Sequence, residues 1–243
     1  MADGVRWLEL GVPAALVCLG LLGGGWFVGH GFEAGRSNPR TVTVKGLAET
    51  LVRADLAIWP LRFTATGNDL GAVQAEIDQD VQAIRSFLTE SGLPPEAIEP
   101  QRVEVTDLLA QAWRPEGVGD NRFIIAQTVL VRTDRVDLVV ALNQESGELV
   151  RRGIVLTETG GPTYLFTRLN EIKPEMLAEA TRNAREAAQQ FALDAESEIG
   201  GIRSASQGIF QILPRDEAPG LMEAGQVEKK VRVVSTIEYV LDD

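Results

Sequence analysis

"LNEIKPEMLAEATRNAREAAQQFALDAESEIGG", residues 169–201, decides what kind of molecule this is. It holds either a row of reactive carboxylates or the wet back of a structural helix. Leu177, Ala180, Ala184, Ala187, Phe191, Ala195 and Ile199 recur every three or four residues, which is one continuous apolar stripe. Pro174 suits the first turn, where its missing N–H is no loss. Gly200-Gly201 reads as the helix stop. Glu179, Arg182 and Glu186 lie at helical spacing, where surface ion pairs stabilise a helix by about 0.2–0.5 kcal/mol each. General acid–base chemistry instead needs carboxylates in a pocket with separated pKa values. The stretch therefore reads as a structural helix. Its packing or assembly face is Leu177, Ala180, Ala184, Ala187 and Phe191, mostly alanine and suited to close approach by a sheet or a neighbouring subunit.

Composition narrows the chemistry further. The 243 residues are 44% hydrophobic, enough for a sizeable core, and carry a net charge of −12. That charge, with no basic stripe, argues against a nucleic-acid partner. One cysteine, Cys18, and one histidine, His30, both fall in or beside the apolar N-terminal block. The rest of the chain thus has no residues for a disulfide, a Cys/His metal site or an imidazole-dependent triad. "TETGGP" at 157–162 lacks the lysine and spacing of a phosphate loop. No cofactor is expected, and no enzymatic activity.

Residues 10–32, "LGVPAALVCLGLLGGGWFVGHGF", contain no formal charge. As a helix this run reaches about 34 Å, enough to cross a roughly 30 Å hydrocarbon core. Trp7, Trp26, Phe27 and Phe32 suit the two interfaces. A cleaved signal peptide fits less well, because no small-x-small site follows the run. Residues 1–33 are read as an uncleaved membrane anchor and 34–40 as a polar linker. Gly20, Gly24, Gly25 and Gly29 have the spacing that lets membrane helices pack closely. Flanking charges alone do not decide the orientation.

From residue 41 the pattern alternates between strands and helices. "TVTVKGLAETLVRADLAIWPLRFTATG" reads as two strands joined around Gly46 to Arg53, with Pro60 marking an edge or a bulge. Asn68-Asp69 caps a helix bearing Val73, Ile77, Val81, Ile84 and Leu88. Two strands flank the turn at 114–121. Asp134 can cap a second helix, and a strand, a Gly-Gly-Pro break and another strand precede the long helix. Two strands close the chain, separated by an acidic loop. The class is α+β, with mixed or antiparallel sheets and helices packed on them.

Three segments together resemble the SIMPL-domain family of bacterial envelope proteins. The first is "TVTVKGLAETLVRADLAIW", where Asp55 and Ala57 match the family's Pro-Asp-x-Ala step and Ala54 replaces its proline. The second is the helix 70–88 with "SGLPPEAIEPQRVEV". The third is "EATRNAREAAQQFALDAESEIGGI". The resemblance spans residues 41–243. It implies an α+β fold of two intertwined lobes, a periplasmic or envelope location, and homo-oligomers, with no established catalytic residues. The resulting expectation is a non-enzymatic scaffold, or a stress-related protein, held by residues 10–32 in the inner membrane, with its C-terminal domain in the periplasm and itself as partner. The alternatives are a periplasmic binding module for a small molecule, peptide or envelope partner, and a carboxylate-only hydrolase. The last would need two buried acids about 5–9.5 Å apart in a cleft.

Overall fold

The computed structural model describes residues 19–26, 40–111, 121–157 and 160–242. The chain divides into two compact units, each assembled from separate stretches. The larger comprises Lys45–Ala184 and Gln207–Ser235; the smaller comprises Met1–Val44, Arg185–Ser206 and Thr236–Asp243.

The larger unit contains a five-stranded antiparallel sheet. Its strands are β2 (Leu56–Gly67), β3 (Ile98–Pro100), β4 (Glu104–Asp107), β5 (Phe123–Thr133) and β6 (Thr163–Leu165). The order is β3-β5-β2-β6, with β4 also paired to β5. The long β2–β5 ladder aligns Ala57 with Thr133 at one end and Gly67 with Phe123 at the other. Along β2 every second residue, from Ala57 through Trp59, Leu61 and Phe63 to Ala65, is buried. The period of two turns these side chains onto one face. There they meet Val73, Ile77, Ile84 and Leu88 of helix α2 (Leu70–Glu90) and Val139, Leu142 and Leu149. The last three come from helices α3 (Val136–Glu145) and α4 (Gly147–Arg151).

α2 begins as the sequence suggests, with the Asp69 carboxylate accepting the Ala72 N–H at 2.8 Å. α3 begins differently. Its N-cap is Arg135 rather than Asp134, and no side chain caps it. Pro60 also departs from expectation, because β2 is an interior strand. β6 pairs only with Leu56 to Ile58, so the proline lies beyond that pairing. Trp59 belongs to the core.

The second sheet has the order β1-β9-β7, with β8 along β9. Its strands are β1 (Thr41–Arg53), β7 (Glu198–Gln207), β8 (Gln211–Pro214) and β9 (Glu228–Asp242). β1 runs unbroken through Gly46, where the sequence suggested a turn between two strands. The glycine serves a different purpose. A Cβ built there would lie 1.8 Å from the Ala180 carbonyl oxygen of the long helix α5 (Leu169–Asp194) and 2.6 Å from the Ala184 amide nitrogen. Met176, Ala180, Val231, Val233 and Ala48 form the core beneath that contact.

The buried line of α5 is Met176, Ala180, Ala184, Ala188 and Ala192, a strict four-residue repeat. Leu177 and Ala187 are half-buried, and Phe191 is 58% exposed. The contact face is therefore rotated from the stripe read in the sequence. Residues four apart form a ridge inclined to the helix axis, and where that ridge meets Gly46 it carries alanines, Ala180 and Ala184. α5 also starts earlier than Pro174, which lies inside it and removes one rung of its hydrogen-bond ladder. It ends before Gly200-Gly201, which belong to β7. The stop is a Schellman turn. Ser197 N–H donates to the Ala192 carbonyl at 2.9 Å and Glu196 N–H to the Leu193 carbonyl at 3.2 Å. Glu196 takes the left-handed conformation, with φ of 51°, where a glycine would ordinarily sit. Ala195 and Ile199 thus lie outside the helix.

Among the described residues no helix is long and apolar enough to cross a membrane. Most of the expected anchor, residues 10–18 and 27–32, lies outside the described residues, as do Trp7, Cys18, Gly29, His30 and Trp113. Residues 19–26 are helical and form α1. A Cβ on Gly20, Gly24 or Gly25 would meet nothing within 4 Å.

Candidate functional site

The two-residue link between β1 and β2, Ala54-Asp55, crosses a junction of distant segments in the larger unit. Ala54 N–H donates to the Val227 carbonyl at 2.8 Å and Asp55 N–H to the Leu165 carbonyl at 2.9 Å. The Asp55 side chain, 13% exposed, gathers four donors. Its Oδ1 accepts from the Thr167 amide and hydroxyl, both at 2.9 Å. Its Oδ2 accepts from the Arg168 amide at 3.2 Å and from Arg168 Nε at 3.1 Å. Burial alone would raise its pKa, but the donors from Thr167 and Arg168 outweigh burial and hold it below the ordinary 3.8. At neutral pH it is a carboxylate with its lone pairs engaged, an orienting group for the turn that enters α5.

Beside this junction lies an open cleft of about 720 Å³. It is lined from three short segments: Arg53 to Asp55, Asp134 to Leu138, and Thr167-Arg168. Arg53 bridges Glu228 at 2.9 Å and Asp137. Arg135 Nη1 donates to the Gly92 carbonyl at 2.8 Å. Arg168 is held through Nε by Asp55. Three arginines thus contribute to the lining, each tethered through part of its donor set.

Three acids, Asp55, Asp134 and Asp137, also line this cleft. Asp55 is largely buried, whereas Asp134 and Asp137 are exposed. Among the described residues no group of three or more His, Cys, Asp or Glu is placed to hold a metal ion.

The residues singled out in the sequence sit elsewhere. Ala180 and Ala184 are buried under Gly46 in the larger unit. Ala187 and Phe191 lie on the part of α5 assigned to the smaller unit. Missing from the sequence reading were Arg53, Arg135 and Arg168. No motif joins them, and their common trait is position at the end or the start of an element.

Comparison with known proteins identifies the scaffold. Residues 42–239 match the SIMPL family, described as a protein of unknown function (DUF541). The chain is a member of the SIMPL family. No curated protein matches it. The match covers β1 through Tyr239 of β9, so both sheets and all helices from α2 to α5 belong to the SIMPL region. Asp55 and Ala57, the two residues that fit the SIMPL Pro-Asp-x-Ala step, have separable tasks. Asp55 ties down the turn before α5, and Ala57, fully buried, begins the core face of β2.

Proposed function

We propose that this protein is a non-enzymatic envelope protein that acts by self-assembly from a membrane anchor. The observation that carries the assembly reading is the state of β7 in the smaller unit. This ten-residue strand ends the order β1-β9-β7, and none of its residues is buried. An edge strand of that length presents unpaired N–H and C=O groups, which proteins ordinarily shorten, charge or cover. β7 carries two charged residues, Glu198 and Arg203, and its Ile202 is 49% exposed; in the same unit Phe191 and Leu193 are 58% and 71% exposed. In the same unit a cleft of about 380 Å³ opens beside Ala192, Leu193 and Ile199. Backbone pairing with apolar flanks is the chemistry of strand addition, and a second copy of the chain supplies it.

The uncharged run 10–32 supports an inner-membrane anchor, and the family supports a periplasmic domain in a structural or stress-related role. The test is a mass measurement of the full chain in mild detergent. A defined oligomer at micromolar concentration is expected, and Ile202→Lys on β7 shifts it towards smaller species with the fold intact. A strict monomer overturns the reading. Protease protection in sealed inner-membrane vesicles checks the anchor and its orientation.

A further inference from the structure

Beyond assembly, the cleft at the β1–β2 link has the make-up of a ligand site. We infer that it binds a small molecule through one oxyanion group, a carboxylate or a phosphate, held by Arg135 and Arg168 with Arg53 behind them.

Its volume of about 720 Å³ falls within the range of small-molecule pockets. The arginines are also ordered before any ligand arrives. Arg168 is fixed through Nε by Asp55, which leaves both of its terminal nitrogens outside that bond. Arg135 is fixed through one terminal nitrogen by the Gly92 carbonyl, which leaves the other outside it. A guanidinium held on one side offers its remaining N–H groups in a fork that matches an oxyanion, and its side-chain ordering is already paid. Asp55 serves this arrangement directly, as a mostly buried carboxylate whose arginine partner is 60% exposed at the cleft.

α3 adds a third donor set. Its first turn, Val136 to Leu138, lines the cleft, and no side chain caps that terminus. Val136 N–H is taken by the Asp134 carbonyl at 2.9 Å, and beyond it the dipole of the helix start favours negative charge.

Carboxylates set the limit on the ligand. Asp55 and Asp137 are engaged by Arg168 and Arg53. Asp134, also in the lining, is not held by either of these arginines and opposes a second negative charge. The cleft therefore suits a single oxyanion group rather than a polyanion, in keeping with a chain of net charge −12.

The test is calorimetric titration of the full chain in mild detergent with lactate, inorganic phosphate and glycerol as separate probes. Saturable binding of lactate or phosphate, with none of glycerol, is expected, and the tighter of the two identifies the oxyanion. Arg135→Gln and Arg168→Gln each weaken that binding at least tenfold, whereas Arg203→Gln on β7 leaves it unchanged. Arg168→Lys, which keeps the charge and loses the fork, also weakens it and serves as the second variant should Arg168→Gln fail to fold. Absence of saturable binding by the folded chain, or equal binding by wild type and both glutamine variants, overturns the site.

Discussion

Gly46 of β1 and Ala180 of α5 are packed backbone to backbone, with space for a hydrogen and not for a methyl group. Asn183 reinforces the contact by donating its side-chain amide to the Leu47 carbonyl at 2.7 Å. Gly46→Ala forces the helix off the sheet, because the obstacle is main chain and has no rotamer to change. A loss of about 2–4 kcal/mol is expected, at or above the usual cost of overpacking. The midpoint of urea unfolding measures it, and a variant as stable as wild type would show that α5 does not lie on β1 in this way.

Asp55→Asn removes the charge that four donors converge on. The expected cost is about 2–3 kcal/mol, since bonds to a charged acceptor are the stronger kind and the donors remain in place. The pH dependence has a definite sign. A carboxyl whose folded pKa lies below its unfolded value stabilises the fold above about pH 3.8, and that contribution is lost as pH falls through the folded value. Wild type therefore loses more stability than Asp55→Asn between pH 5 and pH 2, and parallel unfolding curves would refute the assignment.

Lys229 is fully buried on β9 and donates to the Glu223 carbonyl at 2.7 Å and to the Glu223 carboxylate, which is 32% exposed. The two ends of this pair are unequal. Glu223→Ala takes the countercharge from a buried ammonium, leaves it the main-chain carbonyl alone, and costs about 3 kcal/mol. Lys229→Met leaves the carboxylate within reach of water and costs about 1 kcal/mol or less. Thermal denaturation of the two variants checks the order, and equal losses would argue against it.

Glu196 occupies the left-handed position of the turn after α5, where residues with a Cβ are disfavoured. Glu196→Gly relieves that cost at a site already in glycine's conformation, so a gain of about 0.5–1 kcal/mol is expected. A destabilised variant would show that the glutamate side chain does something for the fold that outweighs the strain.

Periodicity in the sequence carried much of this architecture. α2 and its buried face could be read directly, because Val73, Ile77, Val81, Ile84 and Leu88 combine helical spacing with an Asp69 cap. For α5 the helix could be read but not its rotation. Several alanine seams were available, and the one used is chosen by Gly46, more than a hundred residues away. Gly46 itself looked like a turn residue because sequence shows a missing side chain without showing what occupies the space. The Gly200-Gly201 stop failed for a related reason, since Glu196 accepts a conformation that propensity assigns to glycine. The cleft could not be read at all. Its arginines are unremarkable singly and meet only through tertiary folding.

The bonds at Ala54-Asp55 also set an order of events. Asp55 reaches donors 112 and 113 residues further along the chain, and Ala54 bonds to Val227, immediately before β9. The Asp55 bonds cannot close before residue 168 is made, and the bond from Ala54, like the pairing of β1 with β9, waits for the C-terminal end of the chain. Contacts of such long sequence separation slow folding, because loop entropy is lost before they form. β1 must therefore wait, unpaired with β9, until almost the whole chain has been made. A truncation that removes β9 would leave the first strand of the domain without the neighbour that the finished sheet gives it.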